Sequence, residues 1–290
     1  MINTNLNYPY LEKTIVENIA HYFVKNHIHD VVIGISGGID STVVAIILQR
    51  VEEYLKLIYT FDLNIRGYSL PTNTTNKDEL FISTLVGNTF CTHFIVDNIT
   101  NITKNIDEYL NSSSLPNTFK TGNIKSRFRM MYLYNKSKEC NGVVVGTDNY
   151  TEKLLGFSTI GGDDTADIMP ILNLWKTEVY KLAEYFLTQF EKERNFAACH
   201  ALQSSIQLDP QDGLGISSTD MDQLGANSYY EVDEILFDYL NGITENELVE
   251  KYFAPIVNNI INRYKHNFKL NLPITIKRTK VPVILFINKA

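Results

Sequence analysis

The stretch DVVIGISGGIDSTVVAIILQRVEEYL (30–55) constrains the fold more than any other part of the chain. VVIGI (31–35) is a short unbroken apolar run, the pattern of a strand buried on both faces. TVVAIILQRVEEYL (42–55) has helix length and turns amphipathic toward its end. A buried strand must therefore pass through SGGIDS straight into a helix. Adjacent glycines let backbone N–H groups approach an anion closely, and the positive end of the helix points at the same place. Ser36, Gly37, Gly38, Ile39, Asp40, Ser41 and Thr42 thus form a candidate phosphate-binding loop. Asp40 is suited to hold a magnesium ion bridging phosphate oxygens. The loop has no lysine and no GK[ST], so it is not a Walker A loop. The plainer alternative is a tight turn in which Ser41 only caps the helix. Its place after a buried strand and its density of small polar residues favour the phosphate reading.

The alternation continues on both sides. Leu11, Ile15, Ile19 and Phe23 share a helical face over 10–26. Downstream the pattern predicts a strand at 57–63, a helix at 76–87, a strand at 93–97 and a helix at 98–110. A Ser/Pro/Asn loop (111–118), a long helix (122–138) and a buried strand, GVVVGT (142–147), follow. Strands alternating with helices predict an α/β fold, a mostly parallel sheet with helices on both faces. Ligands bind beyond the carboxyl ends of such strands, where SGGIDS and GTDNYTE both fall. Past Gly156 the chain is irregular and acidic to Pro170, then helical over 175–190. The Gly/Ser/Asp-rich stretch 209–225 reads as a loop, with helices at 228–241 and 245–264 and a final apolar segment at 281–287. No repeat or linker divides the chain, so 1–290 is read as one domain with C-terminal helices.

Composition narrows the function classes. With 44% hydrophobic residues over 290 positions, the chain has enough apolar material for a substantial core, which excludes disorder. A net charge of −7 argues against a nucleic-acid-binding surface. Cys91, Cys140 and Cys199 are far apart and form no CxxC pair, so neither a zinc site nor a disulfide framework is expected. No apolar run reaches the roughly 20 residues needed to span a bilayer, and MINTNLNYPYLEKT has no signal-like charge and apolar regions. The expectation is a cytoplasmic protein that does not engage membranes.

SGGIDS resembles the pyrophosphate-binding loop of the N-type ATP pyrophosphatases, which cleave ATP between its α and β phosphates and adenylate an acceptor. Three further segments narrow the resemblance: GNIKSRFRMMYLY (122–134), GTDNYTEKLLGFSTIGGDDTADIMPILNLWKTEVYKLAEYF (146–186) and TDMDQLGANSYYEVDEIL (219–236). In this order and spacing they are similar to the ammonia-dependent NAD synthetases, over nearly all of residues 10–273. The resemblance implies a Rossmann-like, adenine nucleotide alpha hydrolase-like fold and a homodimer with the dinucleotide site at or near the subunit interface. It also implies ATP-driven amidation of deamido-NAD by ammonia to NAD, AMP and pyrophosphate, through an acyl adenylate, with Mg²⁺. A related amidotransferase making NMN from nicotinate mononucleotide, and a non-catalytic nucleotide-binding paralogue, are the alternatives.

Site residues carry over one by one. Asp40 and Glu152 resemble the family's magnesium carboxylates, although a bare glutamate at a helix start is ordinarily just solvated. Asn123 and Arg127 are implied to contact nucleotide or dinucleotide. Arg127 and Arg129 lie two apart on a helix and do not share a face, so one is expected to meet ligand and the other structure. Phe119 is implied to stack on a ring; without the resemblance, ordinary packing is the better reading. Thr147 follows a buried strand at the ligand edge. Asp163 and Asp167 match residues facing the pyridine and ribose region, Asp163 being the one placed to orient or deprotonate incoming ammonium. Lys176 matches a lysine that neutralises polyphosphate, and Asp40, Asp163 and Lys176 make up the catalytic set. Gln211, Met221, Phe268 and Leu270 depart from the family pattern, leaving Lys269 of a C-terminal basic trio. Segment 209–225 is expected to close over the substrates as a lid, with Asp220, Asp222 or the backbone making its contacts.

Overall fold

The computed structural model describes residues 6–111, 118–208 and 219–271. Among the described residues, four parallel strands form one sheet in the order β3-β2-β1-β4: β1 Asp30–Gly34, β2 Asn64–Ser69, β3 His93–Val96 and β4 Val143–Val145. Val31 of β1 is in register with Ile65 on one side and Val143 on the other. The helices are α1 Tyr8–Asn26, α2 Ile39–Tyr59, α3 Lys77–Phe90, α4 Thr100–Asn111, α5 Thr118–Glu139, α6 Tyr150–Leu155, α7 Lys176–Glu193, α8 Phe196–Gln207, α9 Asp220–Leu224, α10 Tyr229–Leu240, α11 Glu245–Lys251 and α12 Ala254–His266.

The period of two along β1 explains the layering. Val31 and Ile33 point into a core built by α1, α2, α3, α7 and α8. Val32, between them, faces the opposite side, where Met130 and Leu133 of α5 and Ile99 cover the sheet. A third apolar cluster joins Leu154 and Leu155 of α6 and Trp175 to α10, α11 and α12. It anchors the C-terminal helices beside the carboxyl edge of the sheet.

Three expectations need correction. The apolar stretch 57–63 is not a strand. Helix α2 runs on to Tyr59 and ends only where Thr60 turns left-handed, at φ 50°, leaving Leu57 and Ile58 exposed. The strand is instead the polar-looking NIRGYS, where Ile65 and Tyr68 are buried and Arg66 Nε donates to Asp30 Oδ1 at 2.6 Å. Segment 245–264 is two helices, because Leu248 closes α11 and Pro255 starts α12 in the first turn, where its missing N–H costs nothing. Residues 220–224 are a short helix, with Thr219 as cap and Gly225 as left-handed stop, rather than loop. Helix α8 was not expected at all. Of the expected loop 111–118, its ends are the last residue of α4 and the first of α5, and 112–117 fall outside the described residues, as do most of 209–225 and the apolar segment 281–287.

Candidate active site

The site lies at the carboxyl ends of β1, β2 and β4, in a cleft of about 330 Å³. Ser36, Gly38, Ile39, Asp40, Thr147, Glu152, Asp163 and Lys176 all line it. Gly37 takes φ 90°, and a Cβ there would stand 2.9 Å from the backbone N of Ser83, so both backbone and space require glycine. The serines hold the turn: Ser36 Oγ and Ser41 Oγ are 3.1 Å apart, and Gly38 N donates to Ser36 Oγ at 3.2 Å. Thr42 points elsewhere; it is fully buried, 2.8 Å from Ser205 Oγ of α8.

Asp40, in the first turn of α2, meets residues from far along the chain. Lys176 Nζ, from the first residue of α7, donates to Asp40 Oδ2 at 2.5 Å and to Glu152 Oε1 at 3.0 Å. Its ring neighbour is Tyr229, 5.1 Å from Nζ to centroid. The Lys176 side chain is only 3% exposed. Burial works against the ammonium, but Asp40 and Glu152 overcome it and hold the group well above its usual range. Burial also pushes the Glu152 carboxyl up to about 7, with Lys176 opposing and Asp40 adding to the rise. Asp148 is pushed well above the ordinary range by burial, then by Asp163, Glu152 and Asp40.

The supports explain why these groups converge. Asn149 caps α6 through Glu152 N at 3.0 Å and gives its amide to Asp40 Oδ1 at 2.9 Å. Asp233, buried on α10, accepts from Thr151 Oγ1 at 2.6 Å and from Thr177 N at 2.9 Å. Thr151 Oγ1 in turn accepts from Lys176 N at 2.9 Å. One aspartate thus ties the starts of α6 and α7 together.

The acidic loop after α6 forms the other wall. Asp163 accepts from Thr159 N at 2.5 Å and from Ser126 Oγ at 3.1 Å. Burial raises its carboxyl, and these two donors oppose the rise. Several expected ligand contacts hold this loop in place. Asn123 Oδ1 accepts from Thr159 Oγ1 at 2.8 Å, and Arg127 Nε donates to the Ile160 carbonyl at 3.0 Å. Lys269 Nζ donates to the Gly156 carbonyl at 2.8 Å and also to that of Ser158. Asp167 sits against β4, accepting from Val144 N at 2.8 Å and from the Tyr134 hydroxyl at 3.3 Å. Phe119 is 58% exposed and is not part of the cleft lining.

Sequence reasoning missed Ser126 and Asn149, and assigned the ligand role to Arg127 where Arg129 is the arginine that lines the cleft; Asp220 was expected in a closing lid. Arg129 lines the cleft, with Nε donating to the Leu70 carbonyl at 3.2 Å, whereas Arg127 faces the acidic loop. The signal was available: Ser126, Arg129, Met130 and Leu133 recur at helical spacing and share the cleft face of α5. Asp220, the first residue of α9, also lines the cleft and accepts from the Tyr229 hydroxyl at 2.5 Å.

Among the described residues, no three His, Cys, Asp or Glu side chains gather as a metal cage. Two carboxylates converging on one cation nevertheless form a hard-oxygen donor set. That set suits Mg²⁺, which keeps waters and substrate oxygens in its shell. Among the described residues, no helix is long and apolar enough to cross a membrane.

The NAD synthase family model matches residues 11–273. The NH(3)-dependent NAD(+) synthetase of Thermoplasma volcanium is 35% identical over 205 residues, covering 71% of this chain and 74% of the relative. That of Fusobacterium nucleatum is 29% identical, covering 96% and 99%. In fold, the chain is similar to the NMN synthetase of Francisella tularensis, with TM-score 0.73, 23% identity and coverage of 96% and 100%. It is also similar to the NH3-dependent NAD synthetase of Campylobacter jejuni, with TM-score 0.69, 23% identity and coverage of 94% and 100%. The chain belongs to the NAD synthase family.

Proposed function

We propose that the protein amidates deamido-NAD with ammonia at the expense of ATP, releasing NAD, AMP and pyrophosphate. The observation that carries this is the meeting of Asp40, Glu152 and Lys176 beside the Gly37–Gly38 turn, in a chain of this family. A carboxylate is a poor acyl donor, because oxide would have to leave. Its oxygen therefore attacks the α-phosphorus, and the bond to the β-phosphate breaks to release pyrophosphate. Ammonia then attacks the acyl carbon, loses a proton, and AMP departs.

Asp40 and Glu152 are the residues to hold Mg²⁺, which when bound supplies charge neutralisation to the phosphate oxygens. The Gly-rich turn and the start of α2 orient the departing pyrophosphate. Lys176 supplies a mobile positive charge for the same oxygens. Asp163, fixed by Ser126 and Thr159, is positioned to orient ammonium and take its proton. Asn123, Arg127 and Lys269 brace the loop that carries Asp163 and complete the dinucleotide side, with Asp167 and Phe119 at its margin. The working form is a homodimer.

The test offers purified protein ATP, Mg²⁺ and ammonium with either deamido-NAD or nicotinate mononucleotide, and quantifies AMP, pyrophosphate and amide. Preferred turnover of deamido-NAD is expected. Preferred turnover of the mononucleotide would replace this reading with NMN synthesis. No AMP formation with either substrate would leave a non-catalytic nucleotide-binding paralogue.

A further inference from the structure

Lys176 Nζ stands 2.5 Å from Asp40 Oδ2 and 3.0 Å from Glu152 Oε1, so an ammonium already occupies the space between the two carboxylates. A magnesium ion needs its oxygen ligands at about 2.0–2.1 Å in octahedral array. An ion ligated by both carboxylates and the present position of Nζ are therefore sterically exclusive. Charge points the same way. Even with both carboxylates ionised, they and the ammonium sum to no more than −1, in a place where the lysine side chain is 3% exposed. Adding a dication without another anion would crowd three positive charges against two negative ones in a poorly solvated pocket. A nucleotide polyphosphate brings the missing negative charge, and the flexible four-carbon stem of lysine lets its ammonium follow phosphate oxygens.

We infer that Lys176 is a resident counter-cation at the metal position, which a divalent ion displaces only when nucleotide phosphates arrive to receive the ammonium. The inference rests on the assignment of Asp40 and Glu152 as metal ligands. It adds an order to binding: metal and nucleotide load together, and by linkage each tightens the other. In the empty enzyme the lysine keeps two buried carboxylates from facing each other uncompensated. The same side chain thus serves first the protein and then the substrate.

Mn²⁺ binding to the full chain, followed by electron paramagnetic resonance, tests this without turnover. Without nucleotide, Lys176→Met is expected to bind Mn²⁺ at least tenfold more tightly than wild type. Adding α,β-methylene ATP should tighten Mn²⁺ binding strongly in wild type and far less in the variant. Equal Mn²⁺ affinity of wild type and Lys176→Met, with and without the analogue, overturns the exchange. Asp40→Asn separates the two claims: undiminished Mn²⁺ binding there removes the metal assignment itself. If Lys176→Met does not fold, ¹⁵N-lysine resonance of wild type decides. The Lys176 ammonium signal should stay in place with Mg²⁺ alone and move with Mg²⁺ plus analogue. A signal that moves fully with Mg²⁺ alone, or with neither, refutes the exchange.

Discussion

Asn149 joins the two carboxylates of the site through one side chain: its Oδ1 caps α6 at Glu152 N, 3.0 Å away, and its Nδ2 donates to Asp40 Oδ1 at 2.9 Å. The residue is wholly buried. The start of α6, which presents Glu152, and the first turn of α2, which presents Asp40, are therefore set against each other by a single amide. Asn149→Ala removes both bonds and should cost about 1–2 kcal/mol of stability as a lost cap, together with most adenylation activity. Asn149→Asp keeps the cap acceptor but sets a third carboxylate against Asp40. Its stability should fall less on account of the cap, yet pyrophosphate release should drop at least as far. Denaturant melts and a pyrophosphate assay on the pair check this. An active Asn149→Asp enzyme would show that the amide donor is dispensable.

Gly37 faces a double restriction, a φ of 90° and a wall formed by the α3 backbone. Gly37→Ala should lose about 1–3 kcal/mol in a urea melt, the usual cost of a strained backbone. Pyrophosphate release should fall more steeply than stability alone explains, since the turn that would face phosphate must shift. Gly161→Ala offers the contrast: its φ is also positive, at 72°, but no atom lies within 4 Å of the added Cβ. Equal losses at both positions would show that the crowding at Gly37 is irrelevant.

What the sequence disclosed depended on how local the cause was. The turn from β1 into α2 is written in twelve contiguous residues, so apolar run, glycine pair and helix periodicity identified it without help. Asp40, Glu152 and Lys176 lie more than a hundred positions apart at the extremes, and only the sheet order β2-β1-β4 brings their carriers together. Resemblance to a family supplied that juxtaposition; periodicity does not contain it. Asn149 and Asp233 stayed hidden because each looks like an ordinary polar residue of a cap or helix until its partner is known. Strand β2 was misplaced because NIRGYS carries an arginine whose charge is matched by Asp30 across the sheet. The apolar Leu57 and Ile58, by contrast, remain at the surface of α2.

Asp233 predicts a pH signature. Burial lifts its carboxyl from 3.8 to about 6 despite the donors Thr151 and Thr177. Between those values the folded chain holds the proton more firmly than the unfolded one. The contribution is thus complete below about pH 4 and is lost as pH climbs through 6. Asp233→Asn has no such titration. The stability of wild type relative to this variant should therefore decline by roughly 2–3 kcal/mol from pH 4 to 6.5. Parallel stability–pH curves for the two proteins would contradict it.

The homodimer is checked by light scattering at micromolar concentration, alongside turnover at the same dilution. A dimer whose activity falls as it dissociates is expected. Full turnover from a monomer would remove any need for a partner subunit at the site.

Tyr229 and Asp220 give the last prediction. The Tyr229 hydroxyl donates to Asp220 Oδ2 at 2.5 Å, while its ring lies 5.1 Å from Lys176 Nζ. Tyr229→Phe keeps the ring against the ammonium and removes only the donor. A hydrogen bond to a buried carboxylate is worth about 1.5–3 kcal/mol, so a stability loss in that range is expected. Asp220 lines the cleft at the start of α9, where a displaced α9 would admit water to the acyl adenylate. Hydrolysis there returns the acid and AMP without amide. Asp220→Ala should therefore release more AMP than NAD, with ATP affinity changed less than twofold. Tyr229→Phe should show the same excess to a smaller degree. A one-to-one yield of AMP and NAD from both variants would reduce the pair to a packing contact.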